Sequence, residues 1–218
     1  MRKLIVTTIL TLFSFTSANA ELGVNVGISG QMGLFAATAT EKNTLDVGTE
    51  TNSDSEFLAL GWGSVFIEKT LGRAFIGIDY VPAALETETK EDTKFDSTTV
   101  EERSAVENKI QVDFEDLTTY YLGFNITDNF YAKAGMMSVD IITNENLGTG
   151  STYGDTDTDG TMVGLGYNNT FDSGVFFRFE GNYMEFDGAS LDSSTGVAKI
   201  SLDSLDGVSG KLSLGKTF

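Results

Sequence analysis

Asp155-Thr156-Asp157-Thr158-Asp159-Gly160 has the residue types and spacing of the first half of a calcium loop. Alternating carboxylates would surround a hard cation, and the glycine would let the chain turn. The position that should bring a bidentate glutamate is Gly166, so an acidic loop tip in water accounts for the same residues. A second set, Asp79, Glu115, Lys133, Arg178, Glu180 and Lys211, alternates with large apolar residues. Charges gathered inside a narrow interior must pair to offset their desolvation. The set therefore reads as a structural ion-pair network, with a gate or polar plug for solutes as the functional alternative. Covalent chemistry has little to work with. The chain has no His and no Cys, which excludes Ser-His-Asp and Cys-His devices, histidine and thiolate metal sites, and disulfides. The carboxylates have no fixed spacing that would mark an acid–base pair. Gly148-Thr149-Gly150 lacks the third glycine and the helix of a dinucleotide fingerprint. No enzymatic activity and no cofactor are expected.

The elements that position these residues follow from composition and pattern. The chain has 218 residues, 32 acidic and 14 basic, for a net charge of −18. Nucleic acid is not expected as a partner, because backbone binding needs basic surface to displace counterions. Arg2 and Lys3, an apolar run over residues 4–15 and Ala18-Asn19-Ala20 form a secretory signal peptide, cleaved after residue 20. Residues 21–218 then form one domain.

That domain shows period-2 alternation and no sustained helical period. Eight runs stand out. Their large apolar residues include Ile28, Met32 and Leu34, then Leu58, Leu60, Trp62 and Phe66, then Ile76, Ile78 and Tyr80. Tyr120, Leu122, Phe124 and Ile126 follow, with Ile110, Val112 and Phe114 extending that face backward. Phe130 to Met136, Val163 to Tyr167, Val175 to Tyr183 and Val208 to Phe218 complete the series. Odd connections, near residues 39–56, 86–109, 143–160 and 187–206, are long and polar, and even ones are short. The long connections hold 21 of the 32 acidic residues. Short turns at one end and long acidic loops at the other are the asymmetry of a transmembrane barrel. Aromatic residues near both ends suit two girdles at headgroup depth. A soluble sandwich would not oppose an aromatic face with one carrying Asp79, Lys133, Arg178 and Glu180, and its strands would be shorter. The expected fold is all-β: a closed antiparallel up-and-down transmembrane barrel of eight strands. Residues 197–202 either lengthen the last strand pair or form an extra pair in a ten-stranded barrel.

Asn129-Phe130-Tyr131-Ala132-Lys133-Ala134-Gly135, Arg178-Phe179-Glu180-Gly181-Asn182-Tyr183 and the terminal Phe218, with the signal peptide, resemble the OmpA/Opa-like small outer-membrane β-barrel family. The resemblance covers residues 21–218. It implies an integral outer-membrane location with periplasmic termini, and Phe218 as part of the C-terminal signal read by the barrel assembly machinery. Lys216 departs from the family's aromatic at that place, and a lysine there can snorkel. The peptidoglycan-binding domain of longer members does not follow, so no wall-tethering role is expected. The implied partners are outer-membrane lipid and lipopolysaccharide, with divalent cations or an external ligand at the loops. The expected function is a non-catalytic envelope or surface-interaction protein. The alternative is a narrow porin-like channel for small solutes or cations.

Overall fold

In a computed structural model, the protein is described over residues 23–45, 48–96, 104–147 and 152–218. The signal peptide read over residues 1–20 lies outside them. The strands are β1 (Val24–Leu45), β2 (Gly48–Leu71), β3 (Ala74–Tyr80), β4 (Leu85–Glu86), β5 (Lys90–Asp96) and β6 (Ser104–Asn125). They continue with β7 (Phe130–Leu147), β8 (Thr156–Thr170), β9 (Val175–Phe186), β10 (Ala189–Asp192) and β11 (Ala198–Thr217).

Eight of them close a ring in the order β1-β2-β3-β6-β7-β8-β9-β11, and β11 returns to β1 from Asn25↔Thr217 to Asn43↔Ala198. Every neighbouring pair is antiparallel, which makes a closed up-and-down barrel. Closure gives every stave a partner on each side over at least part of its length, so the sheet has no edge strand. β4 and β5 carry the path of β3 onward along β6. β10 folds back on β11, whose residues 198–202 also stay paired with β1. Residues 198–202 therefore lengthen the last strand, and the ring holds eight.

One end has short turns. Gly174 takes φ 78°, a conformation that costs glycine nothing, and donates its N–H to the Phe171 carbonyl. The other end differs from expectation, because most of its polar connections are sheet. β1 and β2 stay zipped to Leu45↔Gly48, and β6 and β7 to Asn108↔Leu147. A hairpin with water on both faces needs no apolar stripe, so these segments carry no alternating signal. Their threonines still suit a pleated backbone.

The barrel is inside out relative to a soluble protein. Leu165 is 67% exposed, whereas Arg178 is 6% exposed. Ile28, Leu34, Leu122, Phe179 and Leu212 join Leu165 in an outward apolar belt. Two faces run opposite to the sequence reading. On β2, Trp62 and Phe66 turn inward, with Leu58 and Leu60 packed against the core, while Phe57 and Val65 face out. On β6, the register slips between Glu115 and Thr118, and Asp116 takes φ 55°. An odd insertion reverses the face of everything beyond it. Phe114 accordingly packs against the core, and Glu115 pairs with outward Asp140. Phe66, Phe75 and Phe176 are buried in the lumen and do not join the girdle. Gly27 and Gly215 face each other across β1 and β11, directly beside the Phe66 and Phe176 rings. A Cβ on Gly215 would also meet the Val26 carbonyl at 2.6 Å, so the rings depend on bare backbone there.

Candidate functional site: a polar layer across the lumen

Strand alternation directs side chains from all eight staves into the half of the lumen near the short turns. Arg178 on β9 forms a bidentate pair with Glu68 on β2, at 2.5 and 2.7 Å. Glu68 also accepts from Asn25 Nδ2 at 3.0 Å and from the Tyr121 hydroxyl at 2.9 Å. Arg178 Nε donates to Asn168 on β8 at 3.0 Å. Lys133 on β7 donates to Glu180 at 2.6 Å, and the Tyr131 hydroxyl donates to the other oxygen of that carboxylate. Lys211 on β11 donates to Asp79 on β3. All six members of these three pairs are buried.

Aromatic rings complete the layer. The Arg178 guanidinium lies 4.5 Å from the Phe176 ring centre and 5.6 Å from those of Phe66 and Tyr131. Lys133 lies 5.0 Å from the Tyr121 ring centre. Ring faces are negative and favour a cation whose water has been removed. The carboxylates, hydroxyls and rings together take the place of the cations' hydration. Just above, Gln31, Asn182, Lys133 and Lys211 border a cavity of about 20 Å³. A space of that size holds about one water. The layer cross-links the staves and fills this part of the lumen.

Of the residues singled out from sequence, Asp79, Lys133, Arg178, Glu180 and Lys211 meet in this layer. Glu115 does not. The β6 bulge turns it outward, into a row with Asp140 and Asp157. The residue sequence reasoning missed is Glu68, which is 3% exposed. It shares parity with Phe66 and Trp62, so assigning those rings to the lipid face hid it. A glutamate in that run was the available sign that the assignment was reversed.

The calcium pattern is not assembled either. Asp157 and Asp159 belong to β8, and with Asp155 they stand exposed on its outer side. Alternate side chains on a strand sit about 7 Å apart along it, too far to share one ion at 2.3–2.6 Å. Asp155 accepts instead from the Thr143 N–H at 3.1 Å. Among the described residues, no group of three or more acidic side chains could hold a metal. Phe218 is half exposed at the short-turn end, where its N–H and carbonyl both bond Val24 of β1. Lys216 Nζ sits 5.4 Å from its ring centre.

No protein-family model matches this chain, and neither does any curated protein. Among solved structures it is similar to the outer membrane protease OmpT of Escherichia coli, with TM-score 0.47 and 10% identity over 93% of this chain and 99% of that one. It is also similar to the outer membrane protein OprG of Pseudomonas aeruginosa, with TM-score 0.43 and 11% identity over 86% and 95%. Ail, the attachment invasion locus protein of Yersinia pestis, follows with TM-score 0.38 and 12% identity over 87% and 99%. At these scores none of them bears on what this chain does.

Proposed function

We propose that this is an integral outer-membrane barrel, non-enzymatic and closed to solutes, whose acidic end is its working surface. The observation that carries closure is the polar layer. Three buried ion pairs and the rings of Phe66, Phe75, Tyr121, Tyr131 and Phe176 occupy this part of the lumen, and a barrel of eight strands is narrow enough for side chains to fill. The outward belt supports the membrane location, since a continuous band of exposed side chains such as Leu165 and Phe179 is favoured against hydrocarbon over water. The short-turn end, with both ends of the barrel wall, would face the periplasm, where Phe218 would serve the assembly machinery.

The opposite end would face outward. There Glu115, Asp140 and Asp157 oppose one another across β6, β7 and β8. Like charges directly opposite repel. Divalent cations shared with lipopolysaccharide phosphates would relieve that repulsion, which makes lipopolysaccharide the favoured contact. Conductance in planar bilayers tests closure against the porin-like alternative. The expected record is flat at moderate voltage. Stable, cation-selective steps from folded protein would contradict it and favour the channel.

A further inference from the structure

Above the polar layer the lumen changes character. Phe35, Leu58, Leu60, Trp62, Leu85 and Phe114 border a cavity of about 30 Å³ lined by apolar side chains alone. Both departures from the sequence reading create it. The reversed face of β2 supplies Leu58, Leu60 and Trp62, and the β6 bulge brings Phe114 inward.

The wall beside this chamber is incomplete. β2 pairs with β3 only from Val65↔Tyr80 to Leu71↔Ala74. Val81 bonds the Leu117 carbonyl, β4 pairs with β6, and between them Pro82 has no N–H to offer. From residue 64 upward, β2 is laddered on its β1 side alone among the described residues. Between residues 57 and 65 this seam lies within the apolar belt, because Phe57, 88% exposed, and Val65, 39% exposed, mark the belt at either end of that stretch. Among the described residues the other neighbouring staves are laddered through the belt apart from the bulge at residues 116–117 of β6, and an unpaired backbone group in hydrocarbon costs several kcal/mol. Leu58, Leu60, Leu85 and Phe114 are half-buried, unlike Phe35 and Trp62.

We infer that the upper lumen is a binding site for the end of one aliphatic chain, which enters sideways from the membrane through the seam between β2 and β4. A polar solute finds no partner in the chamber, and the polar layer below stops any ligand from passing through. The volume fits about two water-sized groups, so a chain terminus enters while the rest lies in the seam against Leu58, Leu60 and Leu85. The inference rests on the membrane location proposed above.

Trp62 is the only tryptophan in the chain and borders the chamber, so its fluorescence reports occupancy. The protein would be refolded into phosphatidylcholine vesicles with bromine at the chain ends, and separately near the ester. Chain-end bromine should quench Trp62 far more than ester-proximal bromine, and unbrominated hexane should relieve the quenching. Leu117→Phe, which adds bulk to the chamber lining, should abolish it. Should that variant not fold, the hexane result on the wild type decides. Inserted protein with no preference for chain-end bromine, or no relief by hexane, overturns the inference alone, as does a folded Leu117→Phe quenched like the wild type. Protein that never associates with vesicles overturns the membrane reading and the inference together.

Discussion

Arg178→Met should destabilise the folded barrel by about 3–5 kcal/mol, the usual cost of leaving one partner of a buried ion pair without the other. Glu68 would keep Asn25 and Tyr121 as donors but lose both guanidinium hydrogen bonds. Its carboxylate would then be a buried charge with no cation on it. The rings of Phe66, Phe75, Tyr131 and Phe176 would lose the cation they surround. Urea titration of vesicle-refolded protein, read as the band shift between boiled and unboiled samples, measures the loss. Glu68→Gln added to Arg178→Met should recover much of it, because an amide can still accept from Tyr121 without needing a counter-charge. If the double variant is as unstable as the sum of its singles, the two residues are not acting as a pair.

Leu165→Arg should cost about 2–4 kcal/mol if the position lies near the bilayer midplane. Leu165 is 67% exposed, and in a soluble protein such a substitution would change stability by no more than about 0.5 kcal/mol. The two outcomes differ by several-fold, and Leu122→Arg, at 59% exposure on β6, repeats the test across the ring. The same urea titration reads both. A variant indistinguishable from the wild type would mean that water, not lipid, meets this face.

Much of the architecture was legible because it depends on period and parity. Alternation over Tyr120 to Ile126 and Val208 to Phe218 fixed which residues share a face. The order of short and long connections fixed which strands are neighbours. β2 was misread because both its faces are apolar: Leu58, Leu60, Trp62 and Phe66 on one, Phe57, Val65 and Ile67 on the other. Period alone then shows two faces without saying which meets lipid, and the larger side chains suggested the wrong one. Inside this barrel large rings fit because glycines sit beside them, so size does not report the side. The charge of Glu68 does.

The β6 bulge was illegible for another reason. Asp116 at φ 55° is a single-residue backbone event in a segment whose sequence alternates without a break, and it moved Glu115 out of the lumen and Phe114 into it. The three buried pairs illustrate the same limit. Alternation put Lys133, Arg178, Glu180, Asp79 and Lys211 on inward faces, but stagger decides which cation meets which anion. Arg178 pairs with Glu68, 110 residues away in sequence, while Glu180, two residues along, takes Lys133.

The central claim, lipid outside and charge within, has a direct measurement because the chain has no native cysteine. Cysteine introduced at each of residues 208–214 on β11 would be the only thiol and would carry a nitroxide in vesicle-refolded protein. Collision with oxygen, which concentrates in hydrocarbon, should be high at Val208, Gly210, Leu212 and Leu214 and low at Ser209, Lys211 and Ser213. Collision with a water-soluble nickel chelate should be low at all seven. High nickel accessibility at Leu212 and Leu214, or shielding of both from oxygen, would contradict the account.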